Sequence, residues 1–372
     1  MTNKFYRTQS PKGIFESGVD RPGQGMDFWL IAAAATLLLI GLAAIHSIDV
    51  ARPGASYMVK QVLFAAIGMI VFLTCSLSTP KSLERLAPLL YGLNIVSLMS
   101  IFILGTRRKG ATRWIDFGPI QFQPSEVAKV ILIITLAVYF SRRWSDTKSL
   151  STYLGSLFHV APVIGLVLLQ PHFAGSMSLV MIWLSMSLIA GINWKYVAIT
   201  AAIIGGTVGL SMKLRIMPPY MLSRIEAALH PDPKGNAYQQ ERAKIAFGVG
   251  GATGVGYLKG EQKAGRYIPE QQNDFIFTVI GEEFGMIGAG IVVAVFGFFF
   301  YRIWLVGFRA SDPVGQLLSG GVLAVLGFHT IVNLGMNVGI LPVAGLWLPF
   351  MSYGGTALWM CMACVGLMAS VR

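Results

Sequence analysis

Long apolar stretches separated by short polar segments dominate the chain from residue 28 onward. A helix that crosses a bilayer needs about 20 consecutive apolar residues, and ten stretches approach that length. We predict membrane spans near residues 28–48, 59–78, 86–105, 125–141, 155–170, 175–191, 196–213, 274–300, 316–338 and 355–371. The pattern therefore predicts an all-α integral membrane protein, with a polar tail over residues 1–27 and a single polytopic domain over residues 28–372.

Two segments break this regular alternation. The first is a long polar loop over residues 214–273, in which residues 236–247 predict a short helix that buries Tyr238 and Ile245. The second covers residues 339–355, which are apolar but interrupted by proline and glycine. Such a sequence cannot span as a regular helix, so we predict a re-entrant or interfacial segment that is buried in the protein.

Composition supports a membrane protein and excludes other classes. Of the 372 residues, 54% are hydrophobic and 12% are charged, whereas soluble domains carry about 25% charge. This composition disfavours a disordered chain and a nucleic-acid-binding protein, and three cysteines are too few for a disulfide scaffold.

Lysine and arginine placement predicts the orientation in the membrane. With the long loop left out, the side that holds both termini carries 13 of these residues and the opposite side carries five. The positive-inside rule then places both termini in the cytoplasm. Four of the five outward residues share one loop: Arg107, Arg108, Lys109 and Arg113. An anionic ligand such as a phosphate-bearing lipid would explain them, and so would contact with lipid head groups.

Ionisable residues inside predicted spans are costly, which makes each one a candidate functional residue. Glu126 and Lys129 are i,i+3 neighbours at the outer end of the fourth span, where a structural ion pair is the alternative. Asp274 begins the eighth span at its outer boundary, where a helix cap is the alternative. Glu282 and Glu283 follow at membrane depth and need either protonation or a basic partner. They indicate a buried polar cavity or network.

Several motifs along residues 28–372 resemble those of the SEDS proteins, the shape, elongation, division and sporulation family of bacteria that includes RodA, FtsW and SpoVE. The matching runs are RWIDFG at 113–118, QPSEVAK at 123–129, YQ at 238–239 with KIAFGVGG at 244–251, PEQQNDFIF at 269–277 with EEFG at 282–285, NLGM at 333–336, GILPVAG at 339–345 and SYGGT at 352–356. The resemblance implies ten spans in a GT-C-like fold, and Val343-Ala344 is closer to RodA-like members. The chain departs from the family pattern at His172, which stands where Asp is usual, and at Gln272-Asn273, which replaces His-Thr.

The resemblance also implies an activity. Family members polymerise lipid II, a lipid-linked disaccharide-pentapeptide, into undecaprenyl-diphosphate-linked glycan at the outer face of the bacterial inner membrane. They serve cell elongation or division beside a class B penicillin-binding protein transpeptidase. Asp274 then matches the family's essential catalytic aspartate, while Glu126, Lys129 and Arg113 match positions implicated in activity or substrate contact. We add the following candidate substrate-binding residues: Arg107, Arg108, Lys109, Arg224, Gln239, Lys244 and Glu282.

This implied activity agrees with the chemistry of the residues. A β-1,4 bond made from an α-linked sugar diphosphate requires inversion, and a carboxylate at the outer boundary can act as general base on the acceptor hydroxyl. Basic residues can stabilise the departing diphosphate. A divalent cation such as Mg²⁺ is compatible with this chemistry, although no ligand cluster in the sequence requires one. Two alternatives remain open: a flippase for lipid II, and a non-catalytic scaffold for the transpeptidase.

Overall fold

The computed structural model describes residues 26–108, 111–118, 120–213 and 236–371 and is predominantly helical. Its α-helices are α1 (Phe28–Ala51), α2 (Tyr57–Ser76), α3 (Pro80–Leu104), α4 (Pro124–Ser141), α5 (Leu150–Leu169), α6 (Phe173–Ile189), α7 (Trp194–Lys213), α8 (Asn236–Gly250), α9 (Glu261–Ala264), α10 (Ile276–Arg309), α11 (Pro313–Asn337) and α12 (Gly355–Ser370). All except α8 and α9 coincide with predicted spans. The helical membrane fold is thus confirmed.

Seven of the described helices are long and apolar enough to cross a membrane: α1 to α5, α10 and α11. Helices α6 and α12 are apolar but shorter, at 17 and 16 residues. The total of ten spans therefore stays a prediction. The tail over residues 1–25 lies outside the described residues, and α1 begins directly after Asp27, whose carboxylate accepts a hydrogen bond from the Leu30 N–H at 2.9 Å.

Helix α4 lies at the centre of the bundle. It packs against α3, α6, α11 and α12, and 14 of its 18 residues are buried. By contrast, only 22% of the 18-residue apolar stretch in α2 is buried, and the value for α3 is the same. Most side chains of these two helices therefore point outward, as in lipid-facing helices. Polar side chains on α4 consequently lie inside the protein, where they need partners.

Residues 106–108, 111–117 and 120–122 form a small antiparallel sheet in a segment that the sequence indicated only as a basic loop. Strand β2 (Ala111–Phe117) lies between β1 (Thr106–Arg108) and β3 (Ile120–Phe122). The sequence analysis did not predict these strands, because two of the three have only three residues and are too short to leave a hydrophobic period. The sheet packs beside the start of α12, where the Thr356 hydroxyl donates to the Gln121 carbonyl at 3.0 Å.

The predicted helix in the long loop is confirmed as α8, but its buried face is not the predicted one. Ala243 and Ala246 are fully buried, whereas Ile245 is 39% exposed. The reason is close packing: Gly250 at the end of α8 contacts the main chain of Gly281 in α10, and such an approach requires small residues on the facing side. Residues 214–235 of the predicted loop lie outside the described residues.

Helix α10 is interrupted at Gly285, which has φ 65° and ψ −164°. The preceding glycine-rich segment satisfies the main-chain groups that this break exposes. Val255 and Gly256 donate to the carbonyls of Glu282 and Glu283 at 3.0 Å each, while the N–H groups of Met286 and Ile287 donate back to Gly251 and Ala252 at 2.9 and 3.1 Å. These four hydrogen bonds replace helical hydrogen bonds that the break removes, so the break can exist inside the bundle.

We expect Gly285→Ala to destabilise the protein. The backbone conformation at Gly285 is essentially restricted to glycine, which alone makes alanine cost about 1–3 kcal/mol, and the added Cβ would overlap the main chain of Ala252 and Gly254. Thermal unfolding of purified protein in detergent should show a lower Tm. Gly290→Ala, in the same helix with open space around its Cβ, is the matched control. An equal Tm for both variants would show that the break is not constrained.

Candidate active site

The candidate residues gather where α4, α6, α10 and α12 begin and α11 ends. Asp274 lies in a turn two residues before α10, and Phe275 occupies the N-cap position without a side-chain cap. The main chain of Asp274 is fixed on both sides: its N–H donates to the Glu270 carbonyl at 3.1 Å. Its own carbonyl accepts from the side-chain amides of Asn333 at 2.8 Å and Asn337 at 3.1 Å. These contacts set the position of Asp274 independently of its carboxylate.

Asn333 and Asn337 are functional candidates that the sequence analysis did not assign. Both are fully buried, one turn apart on α11. Asn333 also donates to the Leu346 carbonyl at 2.7 Å, so its two amide hydrogens join the Asp274 turn to the segment after α11. Two amides at i,i+4 in an apolar helix are costly unless they have partners, and that spacing is the signal by which they are recognisable in the sequence.

The segment between α11 and α12 is non-helical and enters the protein, which confirms the predicted break in the helix pattern. Leu346, Leu348 and Met351 are buried. The Ser352 hydroxyl donates to the Asn273 carbonyl at 2.5 Å, and the Tyr353 N–H donates to the Gln272 carbonyl at 2.9 Å. The segment is therefore tied directly to the turn that carries Asp274.

Gly345 is the point where this segment meets the candidate base. Its φ is 66°, and a Cβ at this position would lie 3.7 Å from Asp274 Oδ2. The carboxylate of Asp274 thus faces the backbone of the segment. On the other side of the same turn, Arg52 donates to the Gln272 side chain at 3.1 Å. Gln272, one of the departures from the family pattern, here anchors the end of α1.

Glu126 and Lys129 form the ion pair that their spacing allowed as the alternative interpretation. Lys129 Nζ lies 2.8 Å from each carboxylate oxygen of Glu126, and the two residues are 0% and 2% exposed. His329 Nε2 lies 3.2 Å from Lys129 Nζ. The Trp347 ring covers the ammonium, with its centroid 5.4 Å from Nζ. Because Trp347 is two residues after Gly345, this segment contacts Asp274 at one end and the buried pair at the other.

Arg113 and His172 connect the small sheet to the start of α4. Arg113 donates to the main-chain carbonyls of Gln170 and Pro171, in the turn between α5 and α6. His172 follows directly, and its Nδ1 lies 3.3 Å from the Ser125 hydroxyl. Arg107 and Arg108 lie on β1, where the structure describes only their backbone, and Lys109 and Arg224 lie outside the described residues.

Helix α8 lies over the end of α11. Gln240, the neighbour of the substrate-binding candidate Gln239, makes the contact: its side-chain amide donates to the carbonyls of Met336 at 3.1 Å and Leu341 at 2.7 Å. The Lys244 side chain extends across Gly339, and its Nζ would lie 2.7 Å from a Cβ added to that glycine. Lys244 is therefore close to the end of α11, the helix that holds Asp274.

Glu282 and Glu283 belong to a buried polar network, which was one of the two alternatives. Glu283 pairs with Lys263 and accepts from the Ser47 hydroxyl at 2.5 Å. Glu282 accepts from the Gln262 N–H at 2.7 Å, and all of these acidic and basic side chains are at most 1% exposed. Lys263 was missed as a partner because in the sequence it is one of many basic residues in a long polar loop.

The described ranges bring together no group of three or more His, Cys, Asp or Glu side chains that could hold a metal ion. Cys361 and Cys364 are buried in α12 without a disulfide. The site is thus composed of carboxylates, amides, a lysine and histidines, a set suited to proton transfer and to binding an anion.

Comparison with known proteins places this architecture in context. The model of the cell cycle proteins FtsW, RodA and SpoVE matches residues 26–372. Peptidoglycan glycosyltransferase MrdB of Escherichia coli K12 is 32% identical over 317 residues, which is 85% of each chain. A probable peptidoglycan glycosyltransferase FtsW of Thioalkalivibrio sp. K90mix is 35% identical over 364 residues, 93% of this chain and 89% of the relative.

Two solved structures share the fold over nearly the whole chain. One is a chain from a structure described as the coordination of polymerization and crosslinking by a peptidoglycan synthase complex. It has a TM-score of 0.81 and 25% identity, and the match covers 93% of this chain and 97% of that one. The other is Thermus thermophilus rod shape determining protein RodA, with a TM-score of 0.70, 25% identity and coverage of 93% and 96%.

Proposed function

Because the chain belongs to the FtsW, RodA and SpoVE family, we propose that it is a peptidoglycan glycosyltransferase that polymerises lipid II into glycan strands. One observation carries the proposal. Asp274 is held by its main chain, through Asn333 and Asn337, in a turn whose carboxylate faces Gly345 at the end of the helix bundle. A carboxylate fixed in this way can take a proton from a substrate held at the same end.

The proposed reaction is an inverting transfer. The 4-hydroxyl of the acceptor sugar attacks the anomeric carbon of the lipid-linked donor, and a β-1,4 bond forms as the bond to the α-linked diphosphate breaks. Asp274 takes the hydroxyl proton as general base. Basic side chains stabilise the diphosphate as its charge develops.

We propose different tasks for the remaining residues. Candidates for the diphosphate are Arg113, Arg107, Arg108, Lys109 and Arg224. Gln239 and Lys244 on α8 are candidates for contact with the sugar chain. Glu126 and Lys129 are enclosed by protein, so we propose that they keep the start of α4 and the segment around Trp347 in the reactive arrangement. Glu282 similarly holds the main chain at Gln262.

The protein is a multi-pass inner-membrane protein, as its apolar helices and its relatives indicate. We propose that both termini are cytoplasmic, that the Asp274 end faces outward and that residues 28–372 act as one domain. A class B penicillin-binding protein transpeptidase is the proposed partner. The likeness to a chain of a peptidoglycan synthase complex supports this pairing.

A lipid II flippase is the rival function, and proteoliposomes distinguish the two. Protein would be reconstituted with lipid II, with and without the transpeptidase, and both glycan length and lipid movement between leaflets would be measured. We expect long glycan strands. Lipid movement that depends on the protein, without glycan, would favour the flippase. Transpeptidase binding without either activity would favour the scaffold.

We expect Asn333→Ala to lower the polymerisation rate and the stability together. The change removes donors to the carbonyls of Asp274 and Leu346, which leaves two buried acceptors short of partners at a cost of about 1–3 kcal/mol. The rate would be measured with lipid II and the stability by thermal unfolding. Asn94→Ala is the matched control, since Asn94 is also buried in an apolar helix but its amide nitrogen makes no hydrogen bond. An unchanged rate in Asn333→Ala would separate these amides from the site.

A further inference from the structure

The Lys129 ammonium has a third partner besides the carboxylate of Glu126. An ammonium group has three N–H donors and accepts nothing. Two of them reach the Glu126 oxygens at 2.8 Å, and the third faces His329 Nε2 at 3.2 Å. His329 is fully buried, so water does not compete for this position.

This contact determines where the proton of the imidazole lies. Because Lys129 can only donate, Nε2 must offer its lone pair, and the ring is then neutral with its proton on Nδ1. Ser178 Oγ also lies 3.1 Å from Nε2, but its hydroxyl donates to the Ala174 carbonyl at 3.0 Å, one turn earlier in α6. The lone pair of Nε2 is thus available to Lys129.

His329 occupies a particular place on α11. It precedes Asn333 by four residues and Asn337 by eight, so the three side chains share one face of the helix. The two amides hold the Asp274 carbonyl, and the imidazole holds Lys129. The Trp347 ring packs against the imidazole at an interplanar angle of 40°, with centroids 4.2 Å apart, which limits rotation of the imidazole.

We propose that His329 is a positioning residue whose neutral imidazole accepts the third hydrogen bond of Lys129 and so fixes the Glu126–Lys129 pair to the helix face that fixes Asp274. It acts through Lys129 rather than on the substrate. The link to activity rests on the proposed polymerase function, whereas the hydrogen bond itself does not. Two separate measurements are therefore needed.

The first measurement is ¹⁵N NMR of protein labelled at histidine and reconstituted in lipid, with His329→Gln used to assign the signal. We expect a neutral ring with protonated Nδ1 and bare Nε2, and the same spectrum in Ser178→Ala. A ring protonated at Nε2, or at both nitrogens, would overturn the proposal, because Lys129 could not then donate to it. A tautomer change in Ser178→Ala would also overturn it, since Ser178 would then be the partner.

The second measurement is the polymerisation rate. His329→Phe keeps an aromatic ring against Trp347 but removes the acceptor, and we expect kcat to fall roughly ten- to a hundredfold with KM for lipid II unchanged. His329→Gln supplies an acceptor oxygen near the position of Nε2 and should restore most of the rate. His159→Phe, which replaces a histidine that contacts Thr135 in another part of the bundle, is the control and should stay active.

A wild-type rate in folded His329→Phe would overturn the proposal, and so would a failure of His329→Gln to restore the rate. If the wild-type protein itself makes no glycan, the proposed function fails, while the NMR result still decides whether the hydrogen bond exists.

Discussion

Asp274→Asn is expected to abolish glycan polymerisation while the protein stays folded. Asparagine has nearly the same shape as aspartate but cannot take a proton at neutral pH, and loss of a general base lowers a rate by roughly 10²–10⁴-fold. The hydrogen bonds that fix residue 274 come from its main chain, so the substitution leaves them in place. The measurements are the rate of strand formation from lipid II and the thermal unfolding curve.

Glu261→Gln is the control for loss of a carboxylate, since Glu261 is exposed in α9 on the same side of the bundle. We expect it to polymerise normally. If Asp274→Asn polymerised at the same rate as this control, Asp274 would not be the base. If Asp274→Asn instead lost its cooperative unfolding transition, residue 274 would have a structural role in the turn before α10.

The second large effect is expected from the buried pair. Lys129→Met leaves the Glu126 carboxylate without its cation inside the bundle, and Glu126→Gln leaves the ammonium without its anion. Removing one member of a buried ion pair costs about 3–5 kcal/mol. Each single variant should therefore unfold at a markedly lower temperature.

The double variant Glu126→Gln with Lys129→Met separates stability from activity. Replacing both charges removes the uncompensated group, so the unfolding temperature should recover most of the loss. We expect the glycan-forming rate to stay low, because the neutral pair no longer holds His329 and the segment around Trp347 as the wild type does. If the double variant recovered both the unfolding temperature and the glycan-forming rate, the pair would have only a structural role.

The sequence predicted those features that depend on local pattern. Apolar runs located the long helices, and the i,i+3 spacing of Glu126 and Lys129 offered an ion pair as one of two interpretations, because both signals are encoded within a few residues. The proline and glycine interruptions after residue 338 predicted the non-helical segment for the same reason. The resemblance drew attention to Asp274 and to the NLGM run that contains Asn333.

Contacts between distant residues could not be predicted in this way. Asn333 lies 59 positions from Asp274, and Lys263 lies 20 positions from Glu283, so nothing in the local pattern pairs them. The break at Gly285 falls inside one continuous apolar run, and hydropathy is insensitive to a backbone angle. The predicted buried face of α8 was wrong because the packing of this helix depends on the small size of Ala243 and Ala246 rather than on the hydrophobicity of Ile245.

The proposed activity is the formation of glycan strands with Asp274 as the general base. The most direct test is polymerisation in detergent micelles, where no second leaflet exists and lipid translocation cannot contribute. Purified wild-type protein and Asp274→Asn would each be mixed with lipid II and a class B transpeptidase that itself forms no glycan. We expect the wild type alone to form strands that a muramidase degrades. Absence of strands with folded wild-type protein bound to the transpeptidase, or equal strands with both proteins, would contradict the claim.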